Sequence, residues 1–224
     1  NQEQVWKERH ILESINSKTL GHDDTSGFEF VKEALGENVT AAVNFDRLQK
    51  HPEKGYIIFE MLKCEKSQNV TPYTSHPRRY WNKNANKFLA LWRAKQDFAA
   101  TLYLVNYAEA GTPHENEVLV IEVCDMDENG ITREEVTKHT RETFSKWFSE
   151  LNNQCLVSKE ELANSIYENK TADELGNIVL RKGKYSGEML RTIYVKDIGY
   201  LEWHSKQSYE YSNAVKWYLK KLES

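Results

Sequence analysis

Residues 43–65, VNFDRLQKHPEKGYIIFEMLKCE, contain two apolar segments joined by a polar turn. Asp46 lies in the first segment and Glu60 in the second. Apolar runs separated by a turn that contains proline and glycine predict a β-hairpin, with strands over 39–48 and 55–64. The two acids are then either part of the solvent face of an ordinary hairpin or the ligands of a metal ion.

The residues before the hairpin predict helices. The segment SGFEFVKEALG begins with a good N-cap, Ser26, has a capping-box partner at Glu29, and ends at Gly36. Apolar residues at helical spacing also predict a short helix over 4–15. A helix that carries glutamates is therefore expected directly before the hairpin.

The residues after the hairpin predict a long polar loop over 66–86 and a helix that begins at Lys87. Apolar runs predict two further strands, one over 101–107 and a largely buried one over 117–127. This order of elements predicts an α/β chain of the α+β kind, in which helices flank a mixed central sheet.

A second capping-box pattern, Thr132 with Glu135, predicts that the next helix begins there and continues to Leu151. The sequence becomes polar after this helix, and the change predicts a domain boundary. We therefore expect one domain over 1–155 and a small C-terminal α+β module, with its linker, over 156–224.

The composition restricts the classes of partner. The chain has 224 residues, 39% of them hydrophobic, and a formal net charge of -4. No stretch reaches the length of a bilayer-spanning helix, so no membrane partner is expected. An anionic ligand would need a locally basic surface, because the net charge is negative. Three widely spaced cysteines and the lack of a secretory signal predict a reducing, cytoplasmic location.

Paired carboxylates on adjacent strands suit phosphodiester hydrolysis, which needs one or two divalent ions to stabilise developing charge and to activate water. Mg²⁺ prefers carboxylate oxygens and keeps several waters, so two or three acidic side chains are enough to bind it. A nearby lysine can stabilise charge on the phosphorane or position the water. Lys63 follows Glu60 by three positions and is the candidate for this role.

The hairpin and its flanking elements resemble the PD-(D/E)XK nuclease superfamily, which has the restriction-endonuclease-like fold. The resemblance rests on a helix with a glutamate, a strand with FD, a strand with IIFE and a lysine, and the helix and strand that follow. It implies an enzyme that uses Mg²⁺ or Mn²⁺, with Asp46 and Glu60 as metal ligands. It also implies that Lys63 assists the attacking water and that Glu29 or Glu33 contributes from the helix.

The chain departs from the family pattern at two positions. Phe45 stands where many members have proline, and two residues rather than one separate Glu60 from Lys63. In a regular strand Glu60 and Lys63 would point to opposite faces, and a bulge after Glu60 would bring them together. Without a bulge, either the lysine is misassigned or the domain is an inactive copy.

A second acidic segment, EVCDMDENG, contains Glu122, Asp125 and Asp127. It resembles the start of an EF-hand loop, but the twelfth residue from Asp125 is Val136 rather than the glutamate such loops require. Asparagine followed by glycine is typical of a turn, so a turn at the end of a strand is the favoured interpretation.

The segment SHPRRYWNKNANK, residues 75–87, mixes basic and aromatic side chains. Arg78, Arg79 and Lys83 could bind phosphates while Tyr80 stacks on a base. The alternative is a solvated loop whose aromatic residues pack on the core. Both interpretations remain open from the sequence.

The segment GKYSGEMLRTIYVKDIGYLEWHSKQ, residues 183–207, and the aromatic helix after it resemble the small C-terminal module of exodeoxyribonuclease X-type proteins. The resemblance implies a nucleic-acid-binding module, with Lys184 and Lys196 among the residues that contact phosphates. The alternative for Tyr200 and Trp203 is that they form the core of a very small domain.

We therefore expect a metal-dependent nuclease that hydrolyses phosphodiester bonds in DNA. The alternative is a catalytically inactive protein that keeps the nuclease fold and binds DNA or regulates another protein. A module that binds only a protein partner is a third class. A homodimer is one form that an enzyme cutting both strands could take.

Overall fold

The computed structural model describes residues 26–36, 42–64 and 69–224. The helix expected over 4–15 and the start of the first expected strand lie outside these residues. The described residues divide into two compact units, with the division between Leu156 and Val157.

The first unit carries the sheet. Its elements are, in chain order, α1 (Ser26–Leu35), β1 (Arg47–His51), β2 (Gly55–Cys64), a 3₁₀ helix (Pro77–Tyr80), α2 (Trp81–Asp97), β3 (Thr101–Ala108), β4 (Glu117–Asp127), β5 (Gly130–Thr140) and α3 (Arg141–Gln154).

The five strands form one sheet in the order β1-β2-β3-β4-β5. β2 and β3 are parallel, and the other neighbouring pairs are antiparallel. A parallel pair needs a crossover connection, and α2 supplies it here. The expected α+β architecture, a mixed sheet flanked by helices, is confirmed.

Side chains alternate between the two faces of the sheet, and each face has its own core. One face packs against α2 through Ile58, Leu104 and Phe88, among others. The opposite face packs against α3, where Phe59 lies 5.2 Å from Phe148 between ring centroids. Residues of β2 with even numbers therefore belong to the α2 face.

Two of the expected strands, 55–64 and 117–127, have the expected bounds. The first strand differs, because β1 begins only at Arg47 and Asp46 lies in a bend directly before it. Asp46 is consequently outside the ladder between β1 and β2, and its carboxylate can turn toward the neighbouring strand.

The helix expected from Lys87 begins earlier, at Trp81, and the polar loop before it is shorter. The His76 side chain caps the preceding 3₁₀ helix, and Pro77 occupies its first position. Trp81 stacks on Phe88 at 5.5 Å between ring centroids, so the buried face of the helix extends two turns before the predicted start.

The prediction of a helix that begins at Thr132 is wrong, because residues 130–140 form β5. This segment pairs antiparallel with β4 from the turn at Asp127–Gly130 to Thr140. The real helix, α3, begins at Arg141, where Thr140 and Thr143 form the capping box. The tight turn before Gly130 starts a hydrogen-bonded ladder with β4, and this ladder outweighs the capping pattern at Thr132.

The second unit is helical rather than the expected α+β module. It contains α4 (Lys159–Glu168), α5 (Ala172–Gly176), α6 (Leu190–Lys196), α7 (Ile198–Ser205) and α8 (Ser212–Glu223). Residues 157–224 contain no strand, and an isolated antiparallel bridge pairs Val179 with Met189. The aromatic segment around Tyr200 becomes a helix because the Asp197 side chain caps its first turn.

Candidate functional site

Asp46 and Glu60 meet at one cleft of the first unit. The backbone N–H of Met61 donates to Asp46 Oδ2 at 2.6 Å, which holds the bend before β1 against β2. Glu60 is only 3% exposed and lies on the face of the sheet that packs against α2. The cleft has a volume of about 460 Å³ and is closed on its other side by residues 86–91 of α2.

Lys87 is the basic member of this site. Its Nζ forms an ion pair with Glu60 Oε1, and about half of its side chain remains exposed to solvent. Because Lys87 and the buried Leu91 are four residues apart, they lie on the same side of α2, facing the cleft. The site therefore contains two carboxylates and one ammonium group.

The electrostatics of this cleft favour an added positive charge. Burial is the largest influence on Glu60 and raises the pKa of its carboxyl above the usual range. Pairing with Lys87 lowers the pKa in part, and the nearby Asp46 carboxylate raises it again. A buried carboxylate beside a second one is stabilised by a proton or by a metal cation.

Lys63 does not join Glu60. The register between β2 and β3 is continuous from Ile57 to Cys64, so β2 has no bulge after Glu60. Regular alternation puts Lys63 on the side of β2 that is opposite to Glu60. Near the end of β2, Lys63 instead borders a neighbouring cleft of about 340 Å³.

That neighbouring cleft is basic. Lys63, Lys83 and Lys87 all border it, together with the polar side chains of Ser75 and Asn84. Lys87 borders both clefts, so the lysine-lined cleft continues from the one that holds the two acids. An anion bound there would lie next to the carboxylate pair.

The described side chains of α1, those of residues 29–35, do not line the acidic cleft. Glu29 and Glu33 are both exposed. Among the described residues, no group of three or more histidine, cysteine, aspartate or glutamate side chains is arranged to hold a metal ion. The expected contribution from a helical glutamate therefore has no geometric support.

The residues of the acidic cleft nevertheless fit a magnesium ion. Mg²⁺ is commonly held by one or two carboxylates while several of its ligands remain water. Asp46 and Glu60 supply two carboxylates, and the cleft is large enough for the waters. Burial and like charge disfavour the bare carboxylate of Glu60, and a cation would relieve both effects.

The basic loop before α2 is partly structural. Arg78 donates to the carbonyl of Ile131 at 3.1 Å and lies 3.8 Å from Glu134, which also contacts His76 at 2.8 Å. These contacts attach the loop to β5. Arg78 and His76 are therefore occupied by the protein itself.

The other side chains of the loop are of two kinds, aromatic residues that pack on the core and basic residues that are exposed. Tyr80 packs against the core, and burial raises the pKa of its hydroxyl to about 12. Trp81 is buried and donates to the carbonyl of Glu128 at 3.3 Å. Arg79 and Lys83 are exposed. Tyr80 and Trp81 therefore pack on the core, as one of the two interpretations of the sequence predicted. The exposed Arg79 and Lys83 side chains can still bind phosphate.

The second acidic segment forms the turn between β4 and β5. Asp127 Oδ1 accepts hydrogen bonds from the backbone N–H groups of Asn129 and Gly130, at 2.7 and 3.0 Å. The expectation of a turn is confirmed, and the segment has a structural explanation.

The expected phosphate-binding lysines of the second unit are engaged in ion pairs. Lys184 donates to Asp197 at 2.7 Å, and Lys196 donates to Glu188 at 2.6 Å. A phosphate that bound either lysine would have to compete with these carboxylates. The sequence pattern did not reveal these two ion pairs.

Sequence reasoning missed Lys87 as a member of the site. The available signal was its position one turn before Leu91 on the apolar face of a helix that follows the IIFE strand. A lysine on a face that packs against a sheet needs a partner, and Glu60 is the buried acid on that face.

Comparisons of the chain with protein-family models, with curated proteins and with solved structures give no match. Within residues 26–36, 42–64 and 69–224, no helix is long and apolar enough to cross a lipid bilayer.

Proposed function

We propose that the protein is a metal-dependent nuclease that hydrolyses phosphodiester bonds in DNA. The observation that carries the proposal is the meeting of Asp46, Glu60 and Lys87 at one cleft. Two carboxylates that can hold Mg²⁺ and one ammonium that can contact a phosphate are the groups that this reaction needs.

Each residue of the cleft has a separate task. Asp46 Oδ2 accepts the Met61 N–H, which orients its carboxylate beside that of Glu60. Glu60 faces the same cleft from inside the sheet. A bound divalent ion would supply Lewis-acid stabilisation of the charge that develops on the phosphate.

Lys87, rather than Lys63, takes the role of the lysine in this proposal. Its Nζ contacts the Glu60 carboxylate, and its exposed half faces solvent, where a water or a phosphate oxygen can approach. An ammonium held beside a carboxylate is placed to stabilise an anionic transition state without reorganising. Lys63 and Lys83 would bind a phosphate next to the one that is cleaved.

The order of elements also supports the proposal. Helix α1, strands β1 and β2, helix α2 and the parallel strand β3 follow each other in the order on which the resemblance to restriction-endonuclease-like enzymes rests. The first acid lies directly before β1, the second in the middle of β2, and the lysine on the crossover helix.

The test is a cleavage assay with Mg²⁺ on linear duplex, circular duplex and single-stranded DNA. Glu60→Gln and Asp46→Asn should abolish cleavage, because each removes a metal ligand while keeping similar volume. Glu53→Gln, at an exposed acid of the hairpin turn, is the matched control and should leave cleavage unchanged. Cleavage that survives both site variants would contradict the proposal.

The second candidate is a DNA-binding protein that keeps the fold without catalysis. The observation that favours it is the placement of Lys63 away from Glu60 on a strand without a bulge. Titration with Mn²⁺, followed by electron paramagnetic resonance, separates the two candidates. An enzyme should bind Mn²⁺ and lose it in Asp46→Asn, whereas a protein that only binds DNA should show DNA affinity without Mn²⁺ uptake.

A further inference from the structure

The second unit contains an aromatic pocket that the proposed nuclease site does not use. The pocket has a volume of about 600 Å³ and lies between the turn at residues 182–184 and the segment 200–211. Tyr200, Trp203 and Tyr209 supply its aromatic wall. Every described residue that lines the pocket belongs to this unit.

The aromatic wall is open to solvent. Trp203 is 48% exposed and Tyr209 is 57% exposed, although nearby Leu201 is completely buried. Trp203 lies 5.7 Å from Tyr200 and 5.8 Å from Tyr209 between ring centroids. Adjacent exposed aromatic faces indicate a binding site, because their apolar area is costly to expose to water.

A second cleft of about 1020 Å³ continues from the pocket and shares Ser208, Tyr209 and Tyr211 with it. Tyr211 has a φ of 68°, a left-handed conformation that a residue with a large side chain rarely adopts. Strain of this kind is concentrated at binding sites, where the surrounding structure maintains it. The two clefts form one groove, and the strained residue lies where they join.

The groove is bordered by more basic than acidic side chains, because Lys182, Lys184, Lys206 and Lys216 line it against Glu160 and Glu210. Lys206 and Lys216 line the larger cleft and are exposed, and within residues 157–224 neither has a carboxylate at ion-pairing distance. Lys182 at the rim of the pocket makes only an exposed pair with Glu210, at 3.5 Å. Residues 178–224 contain nine lysines and arginines against five acids, whereas the whole chain is acidic.

We propose that this groove binds single-stranded nucleic acid. Bases stack on Trp203 and Tyr209 in the aromatic pocket, and the phosphates of the same strand contact Lys206 and Lys216 in the larger cleft. Aromatic faces accept any base, and a lysine-bordered groove follows the backbone. The lysines disfavour the other ligand that aromatic walls suit, a quaternary ammonium or methylated lysine, because they repel a cation.

This binding site is separate from the acidic cleft, and its test is independent of cleavage. Full-length protein carrying Glu60→Gln is titrated, with EDTA present, into a fluorescein-labelled oligothymidylate about 12 nucleotides long. Fluorescence anisotropy gives the Kd. Failure of the nuclease proposal would leave this measurement unaffected.

The aromatic contacts are tested by Trp203→Ala and Tyr209→Ala. Each should weaken binding about tenfold or more, because stacking contributes strongly per base. Trp203→Phe should restore most of the affinity. The matched control is Phe98→Ala, which removes an aromatic residue that is 43% exposed in the first unit, and it should bind like the parent.

The lysine contacts are tested by salt dependence. Lys206→Gln and Lys216→Gln should each make the slope of log affinity against log salt shallower by about 0.7, the contribution of one phosphate contact on a single strand. These variants preserve the aromatic pocket, so they decide the question if Trp203→Ala does not fold, as judged by circular dichroism.

Two results would overturn the proposal. One is an unchanged Kd in folded Trp203→Ala and Tyr209→Ala together with unchanged salt slopes in the lysine variants. The other is tighter binding of a trimethyl-lysine peptide than of the oligonucleotide, which would assign the aromatic pocket to a cationic ligand instead.

Discussion

At the scale of single residues, the acidic cleft combines a buried carboxylate with a lysine that comes from a different element. Glu60 would be costly to bury alone, and the ion pair with Lys87 offsets part of that cost. Lys87 keeps half of its surface in water, so it can pair with Glu60 and still reach a ligand in the cleft.

The first prediction separates the two candidate lysines. Lys87→Ala should lower kcat for DNA cleavage by about a hundredfold or more, the usual effect of removing one group that stabilises an anionic transition state. Lys63→Ala should instead raise KM with little change in kcat, because Lys63 borders only the neighbouring cleft.

Steady-state cleavage of a linear duplex measures both parameters. Lys95→Ala is the control on the same helix, since Lys95 lies over the ring of Trp92, outside both clefts. Equal losses of kcat in Lys87→Ala and Lys63→Ala would contradict the assignment of the lysine role to Lys87.

The second prediction concerns the pH dependence of stability without metal. The pKa of Glu60 is raised in the folded protein, so the folded state binds a proton more strongly than the unfolded state does. The resulting stabilisation is complete below the usual glutamate pKa and is lost as pH rises through the folded value.

Glu60→Gln removes this titration. Thermal unfolding in EDTA, measured from about pH 4 to about pH 8, should show the parent losing stability relative to Glu60→Gln as pH rises. Glu53→Gln, at the exposed turn, should follow the parent curve. A difference between parent and Glu60→Gln that does not change with pH would refute the raised pKa.

At the scale of elements, the position of α2 depends on how the chain before it is attached to the sheet. Asn106 in β3 is completely buried, and its Nδ2 donates to the carbonyl oxygens of Pro72 and Ser75. This amide holds the loop that leads into the 3₁₀ helix and α2. Asn106 in β3 therefore supports the placement of Lys83 and Lys87 on α2.

The third prediction follows from this attachment. Asn106→Ala should lower the free energy of unfolding by about 1–3 kcal/mol, because two backbone carbonyls lose their buried donor. Urea unfolding measures the effect. Asn153→Ala, at an exposed asparagine of α3, should change stability far less. Equal effects of the two substitutions would show that Asn106 does not hold the loop.

At the scale of the whole molecule, the two units have separate cores. The sheet unit has one core on each face, and the helical unit has its own around Leu175, Leu190 and Leu201. Within the helical unit, Asp197 joins two segments. Its Oδ1 accepts the N–H of Tyr200 at 3.1 Å, and its Oδ2 accepts from Lys184 and the Tyr185 hydroxyl.

The fourth prediction concerns acid stability of the helical unit. Lys184 and then the Tyr185 hydroxyl lower the pKa of Asp197, so its contribution to stability is present above the usual aspartate pKa. The contribution is lost as pH falls through the lowered value. Asp197→Asn should therefore destabilise α7 at neutral pH. It should also abolish the loss of stability that the parent shows as pH falls.

Two-dimensional NMR of the full chain, with amide exchange measured for α7, tests the prediction. Glu202→Gln alters an exposed acid of the same helix and is the matched control. Equal amide protection in α7 of the parent and Asp197→Asn at neutral pH would contradict the role of Asp197.

Features that depend on neighbours along the chain could be predicted from the amino-acid sequence alone. The strands 55–64 and 117–127 were predictable because continuous apolar runs specify buried strands, and α1 was predictable from its helical periodicity and the glycine at its end. The same patterns identified Asp46 and Glu60 as acids that flank a hairpin, and the turn at Asp127.

Features that depend on contacts between distant segments became visible only in the folded protein. Pairing with β4 turned 130–140 into a strand, and stacking on Phe88 extended α2 back to Trp81. Packing of α2 against the sheet brought Lys87 to Glu60, while the regular register of β2 kept Lys63 away. Such partners are selected by packing in three dimensions, for which spacing along the chain carries no direct signal.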